Sequence, residues 1–373
     1  MLPGCNSMKK FINQIEPVFG EEEKKAMAAY MDSGGWVTEF KETRKFESMI
    51  ASATGAKHCS VVANGTDALV ASLLAVGVKP GDEVISPDYT FVATPNAAEL
   101  LGAKAVFADV EPQSMCLDFS KMKSAITRKT KAVIFVSMNA RYPQDLLEMA
   151  EYCKGKGIWF IEDAAQSLGS TAFGRQLGTI GDLGTYSLSS PKIITSGQGG
   201  AIVTGNSELY EKILLIRNFG RTSPTPYSDS FDAKGWNFKF TDIQAIIGME
   251  QLKKLPARVK RRKEMGKLYF ELLGKAKGVE LIPTDFSSTA LFAYDLLTDR
   301  RGAMQEFLKA SGIGTRFAYP PLHSEKAYGY PGSYPVSESV GRRGLWLPSS
   351  NNLSDAEISF ICGKVSEFCG KKA

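Results

Sequence analysis

The chain has 373 residues, 43% hydrophobic and 23% charged, with a mild net charge of +5, the composition of a globular protein with one large core and a smaller one. No stretch reaches the roughly 20 consecutive apolar residues of a bilayer span, and residues 1–10 lack the apolar core of a secretory signal, so a cytoplasmic protein is expected. The densest basic run, Arg258 to Lys267, falls in a helical pattern and reads as a solvated face, so neither nucleic acid nor membrane is an expected partner.

A helix is predicted over 21–31. From about residue 40 to 245, helical patterns alternate with short β-branched runs. A helix over 64–76 is followed by a strand over 83–86, a helix near 95–101 and strands over 103–108 and 132–137. A helix over 145–156 and strands over 159–162, 184–188 and 201–204 come next. Such alternation predicts an α/β protein with a mostly parallel sheet covered by helices on both faces, here a large domain over 35–250. Beyond residue 250 come a long basic helix over 256–273, a turn at Tyr319-Pro320-Pro321 and a closing amphipathic helix over 355–368, with Ser354 as its N-cap. Residues 1–34 and 251–373 are expected to form a smaller α+β domain that includes the N-terminal helix.

Six cysteines stand far apart without a C-x-x-C pair, which reads as free thiols in a reducing compartment. Leu2-Pro3-Gly4-Cys5 has the outline of a lipoprotein cleavage site but not its apolar core. His58 and His323 are the only histidines, and their spacing suits neither a zinc site nor a Ser-His-Asp triad.

Open parallel sheets bind ligands beyond the carboxyl ends of their strands, where helix N-termini offer unpaired N–H groups. Four segments there carry unusual residues. Asn64-Gly65-Thr66-Asp67 opens a helix and suits a phosphate, or equally a simple helix cap. In Tyr89-Thr90-Phe91-Val92-Ala93-Thr94, Phe91 can stack on a planar ring or pack in the core. Glu162-Asp163-Ala164-Ala165-Gln166 places carboxylates at the end of a buried strand, where they need partners. An aspartate there suits the ring nitrogen of pyridoxal phosphate. Lys192 follows Ser187-Leu188-Ser189-Ser190-Pro191 and precedes Gly199-Gly200, and a sheltered lysine can bond a carbonyl and shuttle protons. Taken alone, Lys192 also reads as a surface lysine.

In their order and context these segments resemble the DegT/DnrJ/EryC1/StrS sugar aminotransferases, which have the aspartate-aminotransferase fold (PLP fold type I). The resemblance runs along nearly the whole chain and includes Gly81-Asp82-Glu83-Val84 and Gly235-Trp236-Asn237-Phe238-Lys239-Phe240-Thr241. Tyr319-Pro320-Pro321-Leu322-His323 and Arg343-Gly344-Leu345-Trp346-Leu347-Pro348-Ser349 look most like the perosamine-synthase branch.

The resemblance implies a pyridoxal-phosphate enzyme that moves an amino group, usually from glutamate, onto the ketone of a nucleotide-linked sugar. It implies Lys192 as the residue that carries the cofactor and Asp163 as the partner of the ring nitrogen. Gln166 would meet the ring hydroxyl, Phe91 would cover the ring face, and Gly65, Thr66 and Ser187 would hold the phosphate. Asn237 matches an asparagine that reaches the other subunit's cofactor, implying a homodimer; on its own it reads as a cap of the helix that starts near Thr241. Trp36 and His323 match segments that border the sugar nucleotide in relatives, and both have plain packing alternatives.

Sister dehydratases of the family carry histidine in place of the lysine, so Lys192 favours transamination. Ser137-Met138-Asn139-Ala140-Arg141 replaces a common His-Leu-Tyr-Gly beside the cofactor, which implies a changed substrate or donor. A 4-keto-6-deoxy sugar is the leading substrate, with a 3-ketosugar or a keto-sugar acid as alternatives. A non-catalytic cofactor-binding regulator is the alternative of another class.

Overall fold

The computed structural model describes residues 11–222 and 230–371. The readings placed on residues 1–10, including Cys5, lie outside them. The chain first forms α1 (Glu21–Asp32), α2 (Lys41–Thr54), β1 (His58–Val62), α3 (Gly65–Ala75), β2 (Glu83–Pro87), α4 (Ala93–Leu100) and β3 (Lys104–Ala108). Next come α5 (Phe119–Ala125), β4 (Thr130–Val136), α6 (Leu146–Gly155), β5 (Trp159–Asp163), the short pair β6 (Thr171–Ala172) and β7 (Arg175–Gln176), β8 (Leu183–Ser187) and β9 (Gly200–Thr204). The remainder comprises α7 (Ser207–Arg217), α8 (Asp242–Lys253), α9 (Leu255–Leu273), β10 (Glu280–Leu281) and β11 (Tyr294–Leu297). It ends with α10 (Arg301–Ala310), β12 (Arg316–Phe317), α11 (Pro335–Arg343), β13 (Gly344–Leu347) and α12 (Asp355–Gly370).

Seven strands form the main sheet in the order β1-β9-β8-β5-β4-β2-β3. The run from β8 to β3 is parallel, whereas β9 is antiparallel to both neighbours. The strand period of two sends alternate side chains to opposite faces. Val62 and Ile202 therefore join a core on one face, while Val61, Ala201 and Val203 join a core with Phe46 of α2 and Ile246 of α8 on the other. A sheet buried on both faces has no polar side along its central strands, and Ala132 to Val136 is an unbroken buried run.

A second sheet, β10-β11-β13-β12, is antiparallel throughout. Leu296 and Leu345 of this sheet pack with Met265 and Tyr269 of α9 and with Ile358 and Val365 of α12. Ser354 caps α12 in a reciprocal pair with Glu357, as its sequence position predicts.

The N-terminal helix forms where expected but packs elsewhere. Ala26, Met27 and Tyr30 of α1 lie on the core shared with α2 and α8, and the Tyr30 hydroxyl donates to Asp242 at 3.2 Å. Glu23 is also drawn to that side, accepting bonds from Gln251 at 2.8 Å and Lys254 at 2.7 Å. Only the segment before α1 reaches the second sheet's side, where Ile12 pairs with Ile313. An apolar stripe identifies the face a helix buries but not the partner that covers it.

One buried ion pair ties the loop after β4 to β11. Arg141 grips Asp295 through both guanidinium ends, at 2.6 and 2.9 Å, with both side chains almost wholly buried. Asn139 donates to the same carboxylate at 2.7 Å, and Arg141 Nε donates to Thr284 at 2.8 Å. Removing one member of such a pair strands a charge in the interior. Asp295→Ala is expected to destabilise the fold by about 3–5 kcal/mol, measured as a lower urea denaturation midpoint.

Candidate active site

Because β8, β5 and β4 are parallel, their carboxyl ends share one edge of the sheet, at Ser187, Asp163 and Val136. Two successive antiparallel pairings give β1 the direction of β8, so Asn64 and Gly65 emerge on the same edge. A cavity of about 840 Å³ opens there. Its lining includes Gly65, Thr66, Phe91, Asp163, Gln166, Ser187 and Lys192.

At the floor, α3 begins with Asn64 as its cap, the side-chain oxygen accepting from Asp67 N–H at 2.9 Å. The N–H groups of Gly65 and Thr66 belong to a first helical turn and have no acceptor within the helix, so they form the positive end of its dipole. Close approach fixes the small residues around them. A Cβ on Gly65 would lie 3.1 Å from that of Ser187, and one on Gly200 would lie 2.3 Å from the Asn64 carbonyl oxygen. Backbone donors, a serine hydroxyl and a helix N-terminus make this floor fit for a phosphate.

Asp163 is buried at the end of β5. Thr94 Oγ1 donates to its carboxylate at 2.7 Å and Ala165 N–H at 3.2 Å. Burial pushes its pKa up, and those two bonds together with the nearby Lys192 charge pull it back down. A carboxylate held this way favours a cation or a protonated ring nitrogen beside it, which is how it fits a pyridine cofactor.

Lys192 stands across the cavity, its amine 4.7 Å from the centre of the Phe292 ring. Desolvation lowers its pKa to about 8; Asp163 acts to raise it and Arg316 lowers it further. The loop that bears it is pinned from behind, since the Ile193 carbonyl accepts from Arg258 at 2.9 Å and from Asn351 at 3.3 Å.

Gln166 has a fixed orientation. Its carbonyl oxygen accepts the Asn139 backbone N–H at 2.8 Å, so its amide NH₂ points into the cavity, where the Tyr319 hydroxyl is its bonding neighbour. Asn139 holds that N–H in place with a left-handed backbone, φ 50°, a conformation asparagine tolerates better than most residues. Phe91 sits half exposed at the rim, 5.6 Å from the Tyr319 ring.

Three of the sequence-predicted residues lie outside the cavity lining. Asn237 is exposed and bridges to Asn218, and the cap of α8 is Thr241 rather than Asn237. Trp36 is 70% exposed on the surface. His323 donates its backbone N–H to Asp88 at 2.7 Å, its ring Nδ1 lies 2.8 Å from the same carboxylate, and the ring packs on Tyr334.

Sequence reasoning passed over Thr94, Phe292, Arg316 and Tyr319, all of which line the cavity or bond within it. Thr94 stood in a segment singled out only for Phe91. Phe292, just before β11, and Arg316, on β12, lie 100 and 124 residues beyond Lys192, with no local pattern to mark them.

The signature of the DegT/DnrJ/EryC1/StrS aminotransferase family matches residues 17–366. The chain belongs to that family. It is 31% identical over 367 residues to GDP-perosamine synthase of Escherichia coli O157:H7, covering 97% of this chain and 100% of that one. It is 32% identical over 366 residues to dTDP-4-dehydro-2,3,6-trideoxy-D-glucose 4-aminotransferase of Saccharopolyspora spinosa, covering 94% of each. The crystal structure of the aminotransferase TlmJ from Streptoalloteichus hindustanus superposes with a TM-score of 0.91 at 32% identity, over 96% of this chain and 98% of that one. The chain is thus an aminotransferase with the aspartate-aminotransferase-like architecture, PLP fold type I.

The depressed amine of Lys192 has a direct consequence. Burial disfavours the charged form, so deprotonation begins at lower pH than on the surface. In cofactor-free protein, labelling of Lys192 by an amine-selective reagent is expected to reach half its maximum near pH 8, against about 10.4 for exposed lysines. Peptide mass spectrometry reads both in one sample.

Proposed function

We propose that this protein uses pyridoxal phosphate to move an amino group from an amino acid, glutamate by preference, onto the ketone of a nucleotide-linked 4-keto-6-deoxy sugar. The observation that carries the reading is the placement of Lys192 and Asp163 in one cavity above the N-terminus of α3. When bound, the cofactor supplies a ring that draws electrons away from the reacting carbon.

The chain's own residues do the rest. Gly65, Thr66 and Ser187 hold the phosphate through backbone N–H groups and a hydroxyl. Asp163, oriented by Thr94, keeps a proton on the ring nitrogen. Gln166 presents its amide NH₂ to the ring hydroxyl, and Phe91 shields the ring face from water. Lys192 would anchor the cofactor and, once freed, would move a proton between the two carbons that flank the transferred nitrogen. A neutral amine is needed for that transfer, and a pKa of about 8 keeps a useful fraction neutral at physiological pH.

The carbon-4 assignment is supported by the Saccharopolyspora spinosa relative, whose name specifies amination at that position. We assign Asn237 to the cofactor phosphate of a second copy, in a homodimer, a role that its exposed position leaves open to it. Trp36 and His323 are assigned to the border of the sugar-nucleotide site, where His323 would act through its bond to Asp88. The two sheets support a division into a larger and a smaller domain. Among the described residues no helix is long and apolar enough to cross a membrane, and a cytoplasmic setting suits the use of nucleotide sugars.

The test is an absorbance spectrum of purified protein with pyridoxal phosphate, before and after glutamate. A visible band that bleaches on adding glutamate is expected, and Lys192→Ala should lose both the lysine linkage and the bleaching. No band in the wild type would refute the proposal.

A further inference from the structure

Two buried hydroxyl groups stand in line behind Asp163. Thr94 lies in the first turn of α4, where its backbone N–H donates to the Phe91 carbonyl at 3.1 Å. Thr90 precedes it in the segment that links β2 to α4, and it lines the cavity. Both residues are wholly buried. Thr94 Oγ1 lies 2.7 Å from the Asp163 carboxylate and 3.0 Å from Thr90 Oγ1. Branching at Cβ leaves threonine few side-chain rotamers, and close packing removes most of the rest, so these oxygens are held in place.

A hydroxyl has one proton to donate, and that fixes the direction of the line. A carboxylate can only accept, so Thr94 gives its proton to Asp163. The Thr94 oxygen is then an acceptor, and the Thr90 proton is the one in line with it. The reverse order, in which a protonated Asp163 donates to Thr94 and Thr94 to Thr90, would make both bonds neutral. The lengths favour the first order. A hydroxyl bonded to a carboxylate is short, as at 2.7 Å, and a neutral pair is longer, as at 3.0 Å. Donation along a line of hydroxyls also strengthens each bond in it.

The titratable groups that face Asp163 are Lys192, from the loop after β8, and Tyr319, from the loop after β12. The neighbouring strands bring Val136 and Thr185, neither of them charged. Among the influences that favour the ionised carboxylate, the Thr94 bond stands ahead of the Ala165 N–H and the Lys192 charge. Under the proposed function Lys192 is engaged by the cofactor, whereas the two hydroxyls are not.

We propose that Thr90 and Thr94 are positioning residues, a two-hydroxyl relay that holds Asp163 in its charged form and so sets how firmly Asp163 keeps a proton on the ring nitrogen of pyridoxal phosphate. The ring-nitrogen half rests on the aminotransferase reading above; the other half concerns the protein alone.

The experiment compares wild type with Thr94→Val, Thr94→Ser, Thr90→Val and Asp163→Asn. In cofactor-free protein carrying isotope-labelled aspartate, carboxyl NMR follows the titration of Asp163, whose signal is the one lost in Asp163→Asn. Thr94→Val is expected to raise the proton affinity of Asp163 about 10- to 100-fold, the effect of one lost bond to a charged group. Thr90→Val, which removes only the cooperative share, should raise it about two- to fourfold. Thr94→Ser keeps the hydroxyl and should match wild type. A packing role for Thr94 would give the opposite order, because valine keeps the methyl that serine lacks. With pyridoxal phosphate labelled at the ring nitrogen, NMR of the loaded proteins reads that proton directly. The resonance should move toward its unprotonated position in the order wild type, Thr90→Val, Thr94→Val, with Asp163→Asn as the limit.

Circular dichroism checks that each variant is folded, and Thr90→Val with Thr94→Ser carries the test if Thr94→Val is not. An Asp163 titration unmoved in folded Thr94→Val, or in folded Thr90→Val, would overturn the relay. A ring-nitrogen resonance that stays in place while the Asp163 titration moves would overturn the link to the cofactor. A wild type that forms no visible band would overturn the aminotransferase reading and that link with it, and the cofactor-free titration keeps this failure distinct from failure of the relay.

Discussion

A carboxylate at the inner end of a parallel strand is among the least comfortable groups a protein can hold, and the site is arranged around Asp163. Its position follows from the sheet: β5 is covered on both faces and flanked by β4 and β8, so the strand's last side chain emerges where water is scarce. Burial drives the carboxyl toward its neutral form. Thr94 and the Ala165 N–H oppose that drive but bring no charge. What remains unsatisfied is an attraction for a positive partner in the cavity. Lys192 supplies part of it from across the space, and is itself pushed toward neutrality by the same dry surroundings. Each group is left short of full compensation, the condition in which a ligand that carries charge gains most by binding between them.

The second sheet contributes to that arrangement at two points. Asp295 of β11 takes Arg141 and Asn139, and Asn139 in turn fixes the carbonyl of Gln166. A residue in the smaller layer thereby decides which end of an amide faces the cavity in the larger one. From the other side, Asn351 helps to hold the Ile193 carbonyl, next to Lys192. The link between sheets is rigid because its members are buried and bonded at more than one atom. Replacing any one of them disturbs the cavity as well as the seam.

Much of the cofactor side was legible in the sequence, and the reason is geometric. Asp163 and Ser187 stand at strand ends that local patterning locates within a residue or two, Asn64 opens a helix legible in the same way, and parallel strands deliver such ends to one edge. Helix α3 and strands β2, β5 and β8 were readable for the same reason. The short strands of the second sheet were not, since two to four residues carry too little periodicity. The Ser137 to Arg141 segment was read as a change on the ligand side. In the folded chain Asn139 and Arg141 turn to Asp295, a residue more than 150 positions away, and Ser137 bonds Ser167. His323 stood in a suggestive motif, yet its bonds to Asp88 and its packing on Tyr334 are equally long-range. Patterns in sequence report what a residue's neighbours along the chain allow, and buried polar partners are rarely such neighbours.

The distribution of charge explains why the two arginines near the site differ in kind. At the floor of the cavity, a helix N-terminus and backbone N–H groups offer a place for an anion, while Lys192 and Arg316 are the cations among the described lining residues. That arrangement leaves the positive side chains free for the reacting groups. Arg141, sealed between the sheets, had to be neutralised, and Asp295 does so. Arg316 stands at the open side, where solvent tolerates its charge and two aromatic rings hold its plane. An arginine kept in place by rings rather than by a carboxylate retains its preference for an anion.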